Sequence, residues 1–192
     1  AQSQHGAQQG CAVGTFVYWL GNRVRLNALA ARHRRVTFVR IVDDVFMVGA
    51  AEHVAAAMLD WVADTAAHQA NPNLGKCKLW GPRQSTMDSA VLTPLRDLGI
   101  TLVAATEGIK VLGQPMGSDD FCIAFYNAKA AKSGVLVDAI IELLACPAEP
   151  AIQCALIILR YCAAPKVSHL WRAGPPAFTR HAAEIHDAHI MR

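Results

Sequence analysis

The first 42 residues of this chain contain no aspartate or glutamate, although they contain six arginines. The remaining 150 residues hold all 15 acidic residues and 12 of the lysines and arginines. The net charge of +3 therefore combines a basic N-terminal segment with a slightly acidic remainder. A basic segment fits a surface that holds a polyanion. It is also typical of a solvated helix end, which is the interpretation that charge alone favours.

Signals for membrane insertion and secretion are also missing. No apolar stretch of about 18 residues is without a charged residue, so no membrane span is expected. The N-terminus has no basic segment followed by an apolar one, and hence no visible secretory signal. The chain also has no initiator methionine, and we expect it to be a piece of something longer.

The six cysteines form no CxxC pair. In a chain with 53% hydrophobic residues they are expected to be buried, reduced thiols rather than a disulfide framework. Cys154 and Cys162, eight positions apart in a very apolar segment, are assigned to a helical core.

Hydrophobic periodicity predicts an α+β first part and a helical second part. Apolar spacing at Val17, Leu20, Val24 and Ala28 predicts a helix over about 14–31. Two β runs, 36–42 and 45–49, predict a hairpin, followed by a helix over 51–66. Shorter strands are expected at 77–80 and within 108–117, with a helix between them that ends near Gly99. Further helices are predicted at 119–133, 135–145, 149–162, 166–172 and 178–190.

Asp43 and Asp44 separate the two β runs, so the sequence places both carboxylates at the tip of the hairpin. Adjacent carboxylates repel each other unless a cation lies beside them. Oxygen ligands of this kind suit Mg²⁺, and two such ions can promote phosphoryl transfer. The alternative is an ordinary Asp-Asp turn, which is common in hairpins.

Five segments, in this order and at these spacings, resemble the reverse-transcriptase family, in particular the enzymes of non-LTR retrotransposons. The family signature of an aromatic residue, any residue and two aspartates is similar to Ile41-Val42-Asp43-Asp44. The other segments are 6–14 followed by the apolar residues 16–18, then 73–80 with Lys76, then 111–117, and finally 161–176.

This resemblance implies a polymerase palm remnant in residues 1–117, with an antiparallel sheet, an Asp-Asp hairpin and covering helices. An all-helical thumb-like region, 118–192, would follow it. The implied activity is RNA-directed DNA polymerisation by two-metal nucleotidyl transfer, with Mg²⁺ or Mn²⁺. The implied partners are an RNA template, a DNA primer or duplex, a deoxynucleoside triphosphate and the upstream part of the same polyprotein, with no membrane. The implied location is intracellular, and nuclear for an active retroelement.

The resemblance also assigns roles to particular residues. Asp43 and Asp44 would be catalytic metal ligands, and Lys76 would act near the triphosphate unless it is a solvated strand-edge lysine. The remaining roles are template and substrate contacts at Gln9, Gly10 and Ile41, a primer grip at Leu112 and Gly113, and backbone contacts at Arg160, Lys166 and Arg172.

The chain departs from the family pattern at several positions. Ile41 stands where the family has an aromatic residue, and Ala12 and Thr15 stand where it has prolines. No acidic residue before Asp43 can supply the further aspartate of a two-metal site, and the fingers have no counterpart. We therefore expect the isolated chain to be inactive. The alternatives are a non-catalytic nucleic-acid-binding module derived from a retroelement, and a structural helical domain with a coincidental Asp-Asp turn.

Three histidines fall on the last predicted helix. His186 and His189 are three residues apart and can share a face, with His181 one turn earlier. No matching cysteine or aspartate completes a tetrahedral metal site. A polar amphipathic helix is the preferred interpretation.

Overall fold

The computed structural model describes residues 13–41, 44–68, 72–82 and 89–192. Within these ranges the chain is mostly helical, with small antiparallel sheets, which confirms the α+β class. Its helices are α1 (Gly14–Arg32), α2 (Ala51–Ala67), α3 (Ser89–Asp97), α4 (Asp119–Leu144), α5 (Glu149–Ile158), α6 (Ser168–Ala173) and α7 (Pro176–Ile190). Its strands are β1 (Val36–Ile41), β2 (Asp44–Gly49), β3 (Lys78–Leu79), β4 (Thr101–Leu102), β5 (Gly108–Val111) and β6 (Gln114–Gly117). The strands pair as β1 with β2, β3 with β4, and β5 with β6.

The chain forms two compact units, residues 1–77 with 86–101 and residues 78–85 with 102–192. The β5–β6 hairpin thus belongs to the same unit as the C-terminal helices. The predicted division into domains 1–117 and 118–192 stays a prediction.

The first unit is built around the predicted hairpin. Both α1 and α2 contact β1, α2 also contacts β2, and α3 packs on α2. The buried side chains come from α1, β1, α2 and α3, and they include Leu29, Val36, Val54, Ala57 and Leu95. Burial of these apolar groups fixes the two helices against the hairpin.

The predicted apolar face of α1 is not its buried face. The helix has the predicted bounds to within one residue, but among its described side chains Leu20, Val24 and Ala28 are exposed and Leu29 is buried, while the Val17 side chain lies outside the described ones. Helical spacing identifies an apolar stripe, whereas the position of the neighbouring strand decides which stripe is covered. An apolar stripe of Val13, Phe16, Leu20 and Val24 is left exposed.

In the second unit, α4 packs along α7, and α5 and the following turn of π-helix, Leu159–Ala163, also pack on α4. One apolar cluster centres on Tyr126, Ala130 and Leu170, and a second on Val137 and Ile140. The predicted cap at Ser118 is confirmed, because its hydroxyl accepts a hydrogen bond from the Phe121 amide at 3.2 Å.

The predicted break between 119–133 and 135–145 is wrong, since α4 runs unbroken from Asp119 to Leu144. A Cβ atom at Gly134 would lie 2.7 Å from Cε1 of His189 on α7. A glycine inside a helix costs about 1 kcal/mol relative to alanine but does not end the helix. Here its lack of a side chain admits the imidazole of the neighbouring helix.

The predicted burial of the cysteines is only partly right. Cys122 is buried, but Cys146, Cys154 and Cys162 are exposed. The buried side of this region is formed by the small residues Ala155 and Ala163, so Cys154 and Cys162 lie away from the core.

One helical segment of the described chain, Pro150–Ala173, is long and apolar enough to cross a membrane, with a mean hydropathy of 1.2. The sequence pattern did not predict a span here, because this segment contains Arg160, Lys166 and Arg172 and is not an uninterrupted apolar run. Length and composition are weak indicators for a single helix, because core helices of soluble proteins share them. The expectation of no membrane partner stays a prediction.

Candidate carboxylate hairpin and nucleic-acid interface

The hairpin that carries the aspartates is regular along its whole described length. Its antiparallel register runs from Val36 opposite Gly49 to Ile41 opposite Asp44. Asp44 is exposed and is the first residue of β2, so its carboxylate is presented at the connecting end of the hairpin. Asp43 lies outside the described residues. The predicted hairpin is confirmed, and Asp44 is not in a helix.

Ile41 is the last residue of β1 and lies directly across the ladder from Asp44. Its side chain is 40% exposed, so an apolar surface adjoins the carboxylate. Gln9 and Gly10, the other residues assigned to template and substrate contacts, lie outside the described residues.

A cavity of about 240 Å³ adjoins the same hairpin. Arg40 of β1 and Val45 of β2 face each other across the ladder and both line it. Its remaining lining comes from α1, α2 and Pro72: Asn22, Arg25, Leu26, Leu29, Trp61, Asp64 and Thr65. The concave surface of the first unit thus begins one residue from Asp44.

An ion pair between α1 and α2 fixes one wall of this cavity. Arg25 donates from Nε and Nη2 to Oδ2 of Asp64, at 2.9 and 2.7 Å, and from Nη2 to the Asp64 carbonyl at 2.9 Å. Both side chains are mostly buried, and a guanidinium bound at several points holds a fixed orientation. Sequence reasoning missed this pair, because 39 residues separate its members.

Lys76 is exposed and lies at the end of a single turn of 3₁₀-helix, Leu74–Lys76. It precedes β3 by two positions, and its exposure agrees with the alternative of a solvated lysine beside that strand. The catalytic role assigned to Lys76 stays a prediction.

Leu112 and Gly113 form the turn between β5 and β6, as predicted for a strand, a turn and a strand. Both residues have positive φ, 50° and 86°. Two such residues in a two-residue turn match the backbone twist of a hairpin, but the conformation suits glycine, asparagine or aspartate. Leucine there is strained, and its apolar side chain is 55% exposed. An exposed apolar residue held in an unfavourable conformation marks this tip as a candidate contact surface.

The L112N variant is expected to be more stable than the natural chain by about 1 kcal/mol, because asparagine tolerates the left-handed conformation better than leucine. Chemical denaturation measures the difference. The control is L112A, which removes the same apolar group but keeps the unfavourable backbone. Equal stabilities of the two variants would show that the turn stores no strain.

The three cations assigned to a nucleic-acid backbone are all exposed in the second unit. Arg160 lies in the π-helix with its guanidinium 5.3 Å from the Tyr161 ring, Lys166 lies in the following turn, and Arg172 lies in α6. They occupy three successive segments. Their contacts with a nucleic acid stay a prediction.

A buried polar contact in the second unit was also missed. Nδ1 of His186 on α7 lies 2.8 Å from the Ser133 hydroxyl on α4, and Nε2 lies 3.3 Å from the Ala164 carbonyl. Both side chains are almost completely buried. Spacing on the helix placed His186 and His189 on one face but did not indicate that both would meet α4.

Among the described residues, no three histidine, cysteine, aspartate or glutamate side chains come together as a metal-binding group. No family model, no curated protein and no solved structure matches the chain.

Proposed function

We propose that this chain is part of an RNA-directed DNA polymerase of the reverse-transcriptase family, with a partial palm and a thumb-like region. The observation that carries the proposal is the hairpin: two regular antiparallel strands present Asp44 at their connecting end, where the sequence also has Asp43. A palm polymerase needs carboxylates in this position to place metal ions beside the reacting phosphate.

The donor set fits a partial Mg²⁺ site. Asp44 is exposed and offers the carboxylate oxygens that Mg²⁺ and Mn²⁺ prefer. Asp43 and Asp44 would hold the ion, which when bound would neutralise negative charge on the phosphates. A two-metal site needs further carboxylates from another strand, and this hairpin supplies one strand's contribution. The isolated chain is therefore inactive in this proposal.

The exposed stripe of α1 supports a larger palm. Its apolar side chains, led by Val24 at 76% exposure, form a row along one side of the helix. Apolar rows of this kind on a helix are normally covered by a neighbouring element. In the proposed enzyme, that element belongs to the part of the palm that carries the further aspartate.

The second unit supports the thumb-like assignment. It joins a hairpin with an exposed, conformationally constrained tip to a packed set of helices that present Arg160, Lys166 and Arg172. Gln114 of β6 accepts a hydrogen bond from the Tyr126 hydroxyl of α4 at 3.0 Å, which holds the hairpin on the helices. A primer–template duplex would meet the tip and the cations through its backbone.

The alternative function is nucleic-acid binding without catalysis. The observation that favours it is the concentration of arginines at the connection between α1 and β1, at the opposite end of β1 from Asp44. Such a surface can hold a polyanion without using the carboxylates.

Metal binding tests the proposal directly. The natural chain is expected to bind Mg²⁺ or Mn²⁺ weakly, and the D43N/D44N variant to bind at least about tenfold more weakly, because neutral amides lose the charge that attracts the ion. Isothermal titration calorimetry measures both.

The matched control is D119N/D120N, which removes another adjacent aspartate pair, from the first turn of α4. This control is expected to bind metal like the natural chain. Equal metal binding by the D43N/D44N variant would reject the site.

A further inference from the structure

A second cavity, of about 350 Å³, lies in the first unit at the end of the hairpin opposite the aspartates. Its lining is dominated by cationic and titratable side chains from the end of α1, the start of β1 and α2: Ala31, Arg32, His33, Arg34, Arg35, Val36, His53 and Ala56. Because β1 is six residues long, this cavity and Asp44 are about 17 Å apart. It is therefore separate from the carboxylate site.

Asp60 fixes one side of this basic pocket. Its Oδ2 accepts hydrogen bonds from Nε of Arg32 and Nε2 of His33, each at 2.9 Å. These bonds, from His33 first and Arg32 second, hold the pKa of Asp60 below its usual value. One carboxylate thus orders both Arg32 and His33, which reduces the cost of ordering these side chains around a ligand.

The other side of the basic pocket carries Arg34 and Arg35. Arg34 is exposed, and Nη1 of Arg35 lies 3.2 Å from Nε2 of His53. A guanidinium can only donate, so Nε2 of His53 is the acceptor in this contact. Within the described ranges, no carboxylate forms an ion pair with Arg34 or Arg35.

The charges around the basic pocket are unbalanced. Three guanidinium groups line it, whereas Asp60 neutralises one and Glu52 approaches only His53, at 3.9 Å. A concave surface with excess positive charge attracts anions. Guanidinium groups match tetrahedral phosphate oxygens through paired N–H donors.

We propose that the basic pocket at the α1–β1 connection binds a phosphate group. Arg34 and Arg35 contact the phosphate oxygens, while Asp60 holds Arg32 and His33 at the rim. The phosphate belongs either to a nucleic-acid backbone or to a free phosphorylated compound. The inference goes beyond the proposed polymerase function, because it uses none of the hairpin carboxylates.

Calorimetric titration of the full chain with pyrophosphate, at low ionic strength, tests this inference. The R34Q/R35Q variant is expected to bind pyrophosphate at least about tenfold more weakly than the natural chain. The R96Q/R180Q variant removes two exposed arginines elsewhere and is expected to stay within twofold of it. Equal affinity of R34Q/R35Q and the natural chain, or equal losses in both variants, would overturn the proposal.

Two further variants keep the result interpretable. R34K/R35K retains the charge but loses the paired donors, so it is expected to bind with an intermediate affinity, about threefold below the natural chain. If circular dichroism shows that R34Q/R35Q is unfolded, the R34K/R35K variant becomes the test. Pyrophosphate affinity equal to that of the natural chain in R34K/R35K would then reject the proposed binding of phosphate by the paired N–H donors of Arg34 and Arg35. D119N/D120N, which leaves both the basic pocket and the hairpin carboxylates intact, is expected to bind pyrophosphate like the natural chain.

Competition identifies the source of the phosphate. One competitor is a short DNA or RNA–DNA duplex. If this duplex displaces pyrophosphate from the natural chain but not from residual sites in R34Q/R35Q, the bound phosphate belongs to a nucleic-acid backbone. Displacement by a nucleoside triphosphate alone indicates a free phosphorylated compound. Either result supports the phosphate site, whereas equal binding of the competitors to the natural chain and to R34Q/R35Q overturns it.

Discussion

Replacement of His186 by leucine is expected to destabilise the second unit by about 2–3 kcal/mol. The imidazole lies between α4 and the end of the π-helix, where Nε2 donates to the Ala164 carbonyl. Leucine has a similar volume but leaves that carbonyl without its partner. Removing one member of a buried hydrogen-bonded pair costs more than the bond itself contributes, because the remaining group stays desolvated.

The effect extends to Ser133. Its hydroxyl donates a hydrogen bond to the Ala130 carbonyl at 2.6 Å and also lies 2.8 Å from Nδ1 of His186. The S133A variant is therefore also expected to be destabilised, by about 1–2 kcal/mol. The two substitutions are expected not to add, because they remove parts of the same network.

Hydrogen exchange measured by mass spectrometry on peptides from α4 and α7 follows this unit by itself, whereas a single melting curve combines two units. The matched control is H181L, one turn earlier on α7, where the histidine is exposed. H181L is expected to change the exchange of α7 very little. Similar exchange in H186L and H181L would show that the buried contact contributes no stability.

The purified chain is expected to show no templated DNA synthesis, but to bind a primer–template duplex with steep salt dependence. Synthesis requires metals held between carboxylates of different strands and a positioned nucleotide, and positioning supplies much of the rate. Duplex binding requires only cations on the surface. Each phosphate contact lowers log K by roughly 0.7–0.9 per tenfold rise in salt. Contacts from Arg160, Lys166 and Arg172 would therefore contribute a slope of about −2 to −3.

Primer extension and fluorescence anisotropy measure the two properties. The triple variant R160Q/K166Q/R172Q is expected to lose that part of the salt slope, whereas R96Q/R180Q keeps it. Robust extension by the natural chain would overturn the inactivity, and the absence of duplex binding at low salt would remove both nucleic-acid functions. If the natural chain binds the duplex but binds neither Mg²⁺ nor Mn²⁺, the result favours the non-catalytic nucleic-acid-binding module.

The hairpin itself needed only local information. Two β runs interrupted by Asp43-Asp44 specify where the strands end, and the observed register places Asp44 as expected. Ser118 followed by two acids specifies the start of α4 equally well, since a cap bonds an amide three residues later. The turn at Leu112-Gly113 was also predicted, although its strain was not, because leucine carries no signal for a left-handed conformation.

The candidate sites depend on contacts that no local pattern contains. The cavity beside Asp44 is closed by Arg25 and Asp64, and the basic pocket is ordered by Asp60, each through pairs about 30 to 40 residues apart. Sequence reasoning found the arginine excess but could not locate its counter-charges. A charge can be counted from the sequence, whereas its partner is decided by which helices pack together.

The sequence by itself determined the kinds of elements, most of their ends and the position of Asp44 at the start of β2, because capping bonds, turn conformations and alternation act over a few residues. Only the tertiary structure decided which faces are buried. The apolar stripe of α1 is exposed, Gly134 lies inside α4 and leaves room for the imidazole of His189, and His186 lies in the core. Burial depends on which distant elements cover a surface, and the local sequence of one segment does not specify which elements will pack against it.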